Sequence, residues 1–209
     1  MSAALPPDTS AANVSSTTIT LQIVSIVFYT FIAFLCIGLP IAVMPGYVHD
    51  QLGFSAVVAG LVIGSQYLAT LLSRPVAGRI CDTIGTKRAI VYGLSGIALS
   101  GVLTVVAVLL QSFAGTSLVI LVIARLILGG SQGLIGVGTI SWCIGQVGAE
   151  HTARSISWNG IASYGAIAIG APLGVLMVGA LGFVSLGLVL TALAAGALLL
   201  IRNKPAVPV

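Results

Sequence analysis

Six long apolar segments run through this chain with almost no charge inside them, and that pattern excludes a water-filled or water-facing core. Crossing the hydrocarbon region of a bilayer as α-helix takes about 20 consecutive apolar residues. The segments read as spans over Thr20–Met44, Phe54–Arg74, Lys87–Leu110, Leu118–Trp142, Ser155–Val178 and Phe183–Ile201. They are too long and too poorly alternating for barrel strands, and within lipid each backbone amide needs a partner inside its own segment. The pattern therefore predicts an all-α integral membrane protein with six transmembrane helices. The membrane domain is expected over residues 19–202, between a disordered cytoplasmic tail at 1–18 and a linker or chain end at 203–209.

Charge orients the helices. Of eight Lys and Arg, Arg74, Arg79, Lys87 and Arg88 lie around the connection between spans 2 and 3, Arg154 follows span 4, and Arg202 and Lys204 follow span 6. The connections after spans 1, 3 and 5 hold none. The positive-inside rule then puts the even-numbered span ends and both termini in the cytoplasm. Trp142 and Trp158 bracket the connection between spans 4 and 5, where an interfacial belt of indoles is expected. A net charge of +4 would point to nucleic acid in a soluble chain; here topology accounts for it, and no nucleic-acid partner is expected. The first 18 residues are rich in Ser, Thr, Ala and Pro and lack the basic start of a cleavable signal, so span 1 reads as an anchor.

The spans offer little for catalysis. All four acids (Asp8, Asp50, Asp82, Glu150) fall in tails or connections, and no nucleophile elbow or H-E-x-x-H is present. Cys36, Cys81 and Cys143 are too far apart in sequence for a paired metal or redox motif and read as inert thiols. His49 and His151 sit at membrane edges, where a solvated imidazole is the plain reading. Neither an enzyme nor a bound cofactor or metal is expected.

Chemistry gathers instead between spans 2 and 3, in Gly78-Arg79-Ile80-Cys81-Asp82-Thr83-Ile84-Gly85-Thr86-Lys87-Arg88. The string reads as a tight turn in which Gly78 lets two helices approach, Gly85 adopts positive φ, and Asp82 accepts from helix-start amides or pairs with Arg79, Lys87 or Arg88. A solvated positive-inside loop is the alternative. The spacing resembles the G-x-x-x-D-[RK]-x-G-[RK]-[RK] signature of the major facilitator superfamily, matched by Gly78, Asp82, Gly85 and Lys87 and departed from at Thr83 and Thr86. The resemblance implies a gate-locking role for this string.

Three further places carry the same resemblance. Gly38-Leu39-Pro40-Ile41-Ala42-Val43-Met44-Pro45 is similar to the L-P-x-x-x-x-P helix end of the drug-exporter branch, with Pro40 expected to kink span 1 and Pro45 to close it. Arg125-Leu126-Ile127-Leu128-Gly129 is similar to an R-x-x-x-G motif, and Gly165, Gly170, Pro172 and Gly174 resemble an antiporter motif, with Ala171 intervening before Pro172. Ser157-Trp158-Asn159-Gly160, at the start of span 5, adds to the likeness. Members of this superfamily have twelve helices in two halves, each half two inverted three-helix repeats. The first-half motifs occur in order, which implies the amino-terminal half. Tyr67 precedes Pro75 by eight residues and Tyr164 precedes Pro172 by eight, as such a repeat would have it.

Arg125 is the leading candidate for the transport path. At 1.5 Å per residue it lies roughly 12 Å into span 4, and a charge there costs at least about 2.5 kcal/mol without a partner or cavity. Two readings fit, a cavity-facing role and snorkelling to the outer headgroups. Gln132 lies seven residues on, on the same face; Gly129 and Gly133 make that face either a cavity wall or a packing seam. Gln66 and Tyr29 are the next polar candidates.

The resemblance implies a secondary transporter in the inner (cytoplasmic) membrane, moving a small molecule by alternating access, with proton antiport and efflux as the expected mode. Its expected partners are the substrate, a proton, the bilayer and a second six-helix half, either further along a longer chain or on another chain. A non-transporting six-helix fragment or partner subunit is the alternative, since six spans alone do not enclose a path between two halves. The charge asymmetry makes a direct prediction. Single cysteines near Lys87, near Arg154 and after Arg202 will label from the cytoplasm, and those near Gly53 and Gly115 from outside. Labelling near Lys87 from the outer face would reverse the topology.

Overall fold

The structure is a computed structural model that describes residues 16–204; the proposed tail up to residue 15 and residues 205–209 of the proposed linker lie outside the described residues. Six helices are long and apolar enough to cross a membrane: α1 Ser16–Ile41, α2 Ala56–Ile84, α3 Thr86–Leu109, α4 Ala114–Val147, α5 Thr152–Leu181 and α6 Val184–Arg202. Each expected span is one of them. The bounds differ in an instructive way: α2 runs ten residues past Arg74, and α1 begins at Ser16, so residues 16–18, expected in the tail, are helical. Charged residues mark where lipid ends, but they do not stop a helix, whose backbone bonds continue into the headgroup region.

What stops α2 is Gly85, at φ +102°, whose amide donates to the Ile80 carbonyl at 3.2 Å. The turn expected across Gly78–Arg88 is thus a single residue, and Gly78 and Asp82 ride on the last two turns of α2. In the other triplet Gly182, at φ +77°, ends α5 in the same way just before α6 begins. After α1 the chain does not stop at Pro45 as expected. The helix ends at Ile41, and Pro45 starts a short helical turn at Met44–Gly46, where its missing N–H leaves no bond unmade. A wider helical turn at Tyr47–Gln51 follows, held by Phe54 N–H to Val48 and by the His49 ring, whose Nδ1 bonds the Phe54 carbonyl at 2.7 Å.

Packing follows the inverted-repeat plan in all but the α3–α4 pair, whose repeat-related pair α1–α6 is only loosely packed. The most intimate helix pairs are α3–α4, α1–α5, α2–α4 and α3–α6. Exchanging triplet α1–α3 with triplet α4–α6 turns the α1–α5 pair into α2–α4 and leaves α3–α6 unchanged. Backbones meet at glycine. A Cβ on Gly174 or Gly170 would strike the backbone at Leu39 or Gly38 of α1, and one on Gly129 would strike the Gln66 carbonyl of α2. Pro172 lies inside α5 between Gly170 and Gly174. Gly78 shows the reverse: a Cβ there meets nothing within 4 Å, so the close helix approach expected of it does not occur among the described residues.

Trp142 also departs from expectation. It is fully buried and stacks on Tyr29, with ring centroids 6.1 Å apart, because α4 presents it inward to α1. Only Trp158, half-buried beside Phe28 and Phe31, faces outward. In α1, 67% of the apolar stretch is buried in the bundle, against 17% in α2 and 22% in α5, so these two helices carry long uncovered apolar faces. Tyr67 and Tyr164, the repeat-related pair, are exposed there.

Since lipid gives helices no hydrophobic reason to associate, the glycine contacts are decisive. Gly174→Ala forces α1 and α5 apart and is expected to cost about 1–3 kcal/mol in unfolding from detergent micelles. Gly196→Ala, where an added Cβ meets nothing, is the neutral control.

Candidate functional site

Two pockets with polar groups set in largely apolar walls lie in the bundle, one among α1, α2, α4 and α5 and a smaller one among α1, α2 and α4. The larger, about 200 Å³, is lined by Phe34 of α1, Thr70 and Arg74 of α2, Gln132 and Gly136 of α4, and Asn159 of α5. The smaller, about 10 Å³, has Arg125 and Gln66 in its wall, with Pro40, Ile63 and Tyr67. That volume holds about one water molecule at most. A third cavity, about 370 Å³, lies at the far end of the bundle between the turn after α1 and the start of α2; His49 and Asp50 border it.

Arg125 is 2% exposed, so it does not snorkel. It is the twelfth residue of α4, roughly 17 Å along the axis from Ala114. Its Nη2 donates to Thr104 Oγ1 of α3 at 3.1 Å, while its Nε has no partner among the described residues. Thr104 in turn donates to the Ser100 carbonyl at 2.8 Å, and Ser100 donates to the Ala124 carbonyl at 2.7 Å, a chain that ties α3 to α4 beside the arginine. The positive charge is therefore held by one neutral hydroxyl, that of Thr104, and keeps an unused donor.

Gln132 joins Arg125 on the inner side of α4, and the stripe between them has both expected characters. Gly129 and Gly133 are a packing seam, a Cβ on them striking Gln66 and Ser73 of α2, whereas Gly136 has no neighbour within 4 Å and opens onto the cavity. Thr70 Oγ1 lies 3.0 Å from Gln132 Oε1, and Thr30 Oγ1 of α1 donates to Asn159 Oδ1 at 2.8 Å. Gln66 is buried. Tyr29, expected on the path, is instead packed against Trp142 and lines none of these pockets. Arg74, Thr70, Thr104 and Asn159 were not among the residues expected here. Arg74 was counted with the topology-setting charges, and a lone Thr or Asn in an apolar helix carries a weak signal, although polar groups inside spans call for a partner.

In the string around Gly85, Asp82 is exposed and has no ion pair among the described residues; neither Arg79, Lys87 nor Arg88 reaches it. Lys87 has another role. Its Nζ donates to the Arg202 carbonyl at 3.2 Å and to the Lys204 carbonyl, capping the end of α6, where a cation complements the helix dipole.

Residues 26–209 match the Major Facilitator Superfamily. The chain belongs to that superfamily. It is a multi-pass membrane protein of a transporter family, not an enzyme, and corresponds to the amino-terminal half of the fold. It is 54% identical over 169 residues to an uncharacterized MFS-type transporter of Pseudomonas aeruginosa, covering 81% of this chain and 42% of the relative. To one from Burkholderia pseudomallei it is 54% identical over 189 residues, covering 90% and 46%. The crystal structure of a D-xylose-proton symporter superposes with a TM-score of 0.72 at 17% identity, over 88% of this chain and 48% of that one, a likeness of fold. The chain spans less than half the length of each of these superfamily members.

The Arg125–Thr104 bond makes a testable demand. Thr104→Val leaves a buried guanidinium without its bond and is expected to cost about 1–3 kcal/mol in detergent unfolding. Thr104→Ser restores most of it, and adding Arg125→Leu to Thr104→Val removes the unpaired charge and recovers stability. Equal stability of the Thr104→Val single mutant and the parent would show that the bond contributes nothing.

Proposed function

We propose that this superfamily member is half of a proton-coupled exporter that moves a small molecule across the cytoplasmic membrane by alternating access. The observation that carries the reading is the polar cavity lined by Arg74, Gln132 and Asn159 among α1, α2, α4 and α5, set beside two helices whose apolar faces are uncovered. A second six-helix half laid on α2 and α5 would close that cavity and bury those faces. Relatives more than twice as long as the matched segment support such a partner. The cluster of Lys and Arg at one end of the bundle supports a cytoplasmic side for both chain ends.

Asp82, exposed and unpaired on the last turn of α2, is free to meet a helix end or a base of the second half, which makes it a latch that forms and breaks as the halves rock. Gly78, with open space over it, leaves room for that close approach. Arg88, exposed next to Lys87, completes the basic side of the gate. Proton coupling needs an acid on the path, supplied by Asp50, which borders the third cavity beside His49, or by the second half.

The test is transport in proteoliposomes holding this chain with its second half. Asp82→Asn is expected to slow cycling roughly tenfold, the equivalent of about 1.4 kcal/mol, with normal insertion and yield. Arg125→Leu should nearly abolish transport without lowering yield, because it removes a buried charge, and Arg125→Lys should retain part of the activity if charge outweighs the planar fork. Unaltered flux in Asp82→Asn would remove the gate, and unaltered flux in Arg125→Leu would remove Arg125 from the path.

A further inference from the structure

The polar groups lining the cavity of about 200 Å³ are the Thr70 hydroxyl, the amides of Gln132 and Asn159 and the guanidinium of Arg74. An amide side chain has one accepting oxygen and two N–H donors, and whichever end a neighbour engages leaves the other end to the cavity. Thr30 Oγ1 donates to Asn159 Oδ1 at 2.8 Å and has no other acceptor in reach among the described residues, so Asn159 keeps its NH₂ for the cavity. Thr70 Oγ1 sits 3.0 Å from Gln132 Oε1 and equally far from the Gln66 and Gly129 carbonyls, and when its proton goes to Gln132 the Gln132 NH₂ is left to the cavity. Arg74, from α2, adds a guanidinium with donors alone and no ion-pair partner among the described residues. The remaining wall (Phe34, Gly136, Val137, Ile140) is apolar, and no carboxylate borders the cavity.

The two amide pairs fall on helix pairs related by the repeat. Thr30–Asn159 joins α1 to α5 and Thr70–Gln132 joins α2 to α4, the helix pairs that exchange when the two triplets are swapped. The first triplet supplies both threonines and the second both amides, so the repeat relates the helix pairs and not the individual residues.

Resting on the transport reading of this cavity, we infer that its substrate is a small molecule bearing an oxyanion, a carboxylate or a phosphoryl group, bound by the NH₂ groups of Gln132 and Asn159 and the fork of Arg74. Donors converging from three helices suit an anion's lone pairs, and the guanidinium supplies the charge in planar, bidentate geometry. A cation would meet Arg74 with nothing to offset it. A neutral polyol would leave its own hydroxyl protons without acceptors.

The experiment measures ligand-induced thermal stabilisation of the purified chain with its second half, using inorganic phosphate, glutarate, D-xylose and tetraphenylphosphonium as probes. Phosphate or glutarate is expected to stabilise the protein saturably, their relative strength separating phosphoryl from carboxylate recognition, while the neutral and cationic probes do not. Gln132→Glu and Asn159→Asp, which exchange NH₂ for oxygen at constant shape, should each weaken oxyanion binding roughly tenfold or more. Arg74→Gln, at an exposed position where folding is not at stake, should weaken it similarly. Thr70→Val should weaken it less, by freeing the Gln132 amide to turn.

Unchanged oxyanion affinity in both Gln132→Glu and Asn159→Asp overturns the inference, since it means that the amides turn their oxygens to the cavity or do not touch the ligand. A parent protein that responds to D-xylose or tetraphenylphosphonium and to neither oxyanion overturns it too. Flux is scored separately. Oxyanion binding without flux supports the inference and refutes the transport reading, whereas flux of a neutral or cationic solute alone keeps transport and refutes the inference.

Discussion

Backbone contact at glycine is the interaction on which the rest of this bundle depends. Between helices already in lipid, burying another apolar side chain gains little, and association rests on close van der Waals approach and on bonds between polar groups. Gly38, Gly170 and Gly174 bring α1 and α5 together, Gly129 and Gly133 do so for α4 against α2, and Gly101 and Gly187 meet between α3 and α6. Two of these three seams seat a hydroxyl where a partner helix can reach it: Thr70 beside Gly129 and Gln132, and Thr191 across from Gly101. Push the backbones apart by a methyl group and those bonds lengthen past use.

The polar interior is built economically on that spacing. Among the described residues the six long helices carry one acid, the exposed Asp82 at the end of α2, and the buried charge of Arg125 is answered by Thr104. The amides of Gln132 and Asn159 are likewise held by threonines from neighbouring helices. Hydroxyls can satisfy such groups at small volume and without a second charge, which leaves unused donors on Arg125, Gln132 and Asn159 for something that enters from outside the half.

Repetition explains why the incompleteness falls where it does. The swap that relates α1–α5 to α2–α4 makes α2 and α5 equivalent, and these are the two helices least buried in the bundle. Their equal exposure marks a common surface flanking the cavity. The end of the bundle carrying Gly85 is the charged one, where Lys87 caps α6 and Arg154 bonds Ser16 Oγ at 3.1 Å, so connections distant in sequence are joined there.

Much of this was legible in the chain itself. Apolar runs of some 20 residues leave helix as the solution in a bilayer, so the number, order and approximate ends of the six helices followed from hydropathy alone. The spacing of Gly78, Asp82 and Gly85 and the R-x-x-x-G of Arg125 and Gly129 pointed to the superfamily that residues 26–209 match. Tertiary structure decided everything that depends on which way a helix is turned. It put Tyr29 against Trp142 and took both from where sequence placed them, gave Lys87 to the end of α6, left Asp82 unpaired, and brought Arg74, Thr70 and Asn159 to the cavity beside Gln132. The physical reason is that these spans are apolar on every side. A helix in lipid needs no contrast between a wet and a dry face, so its sequence states that it crosses the membrane and leaves the glycine seams to determine what it faces.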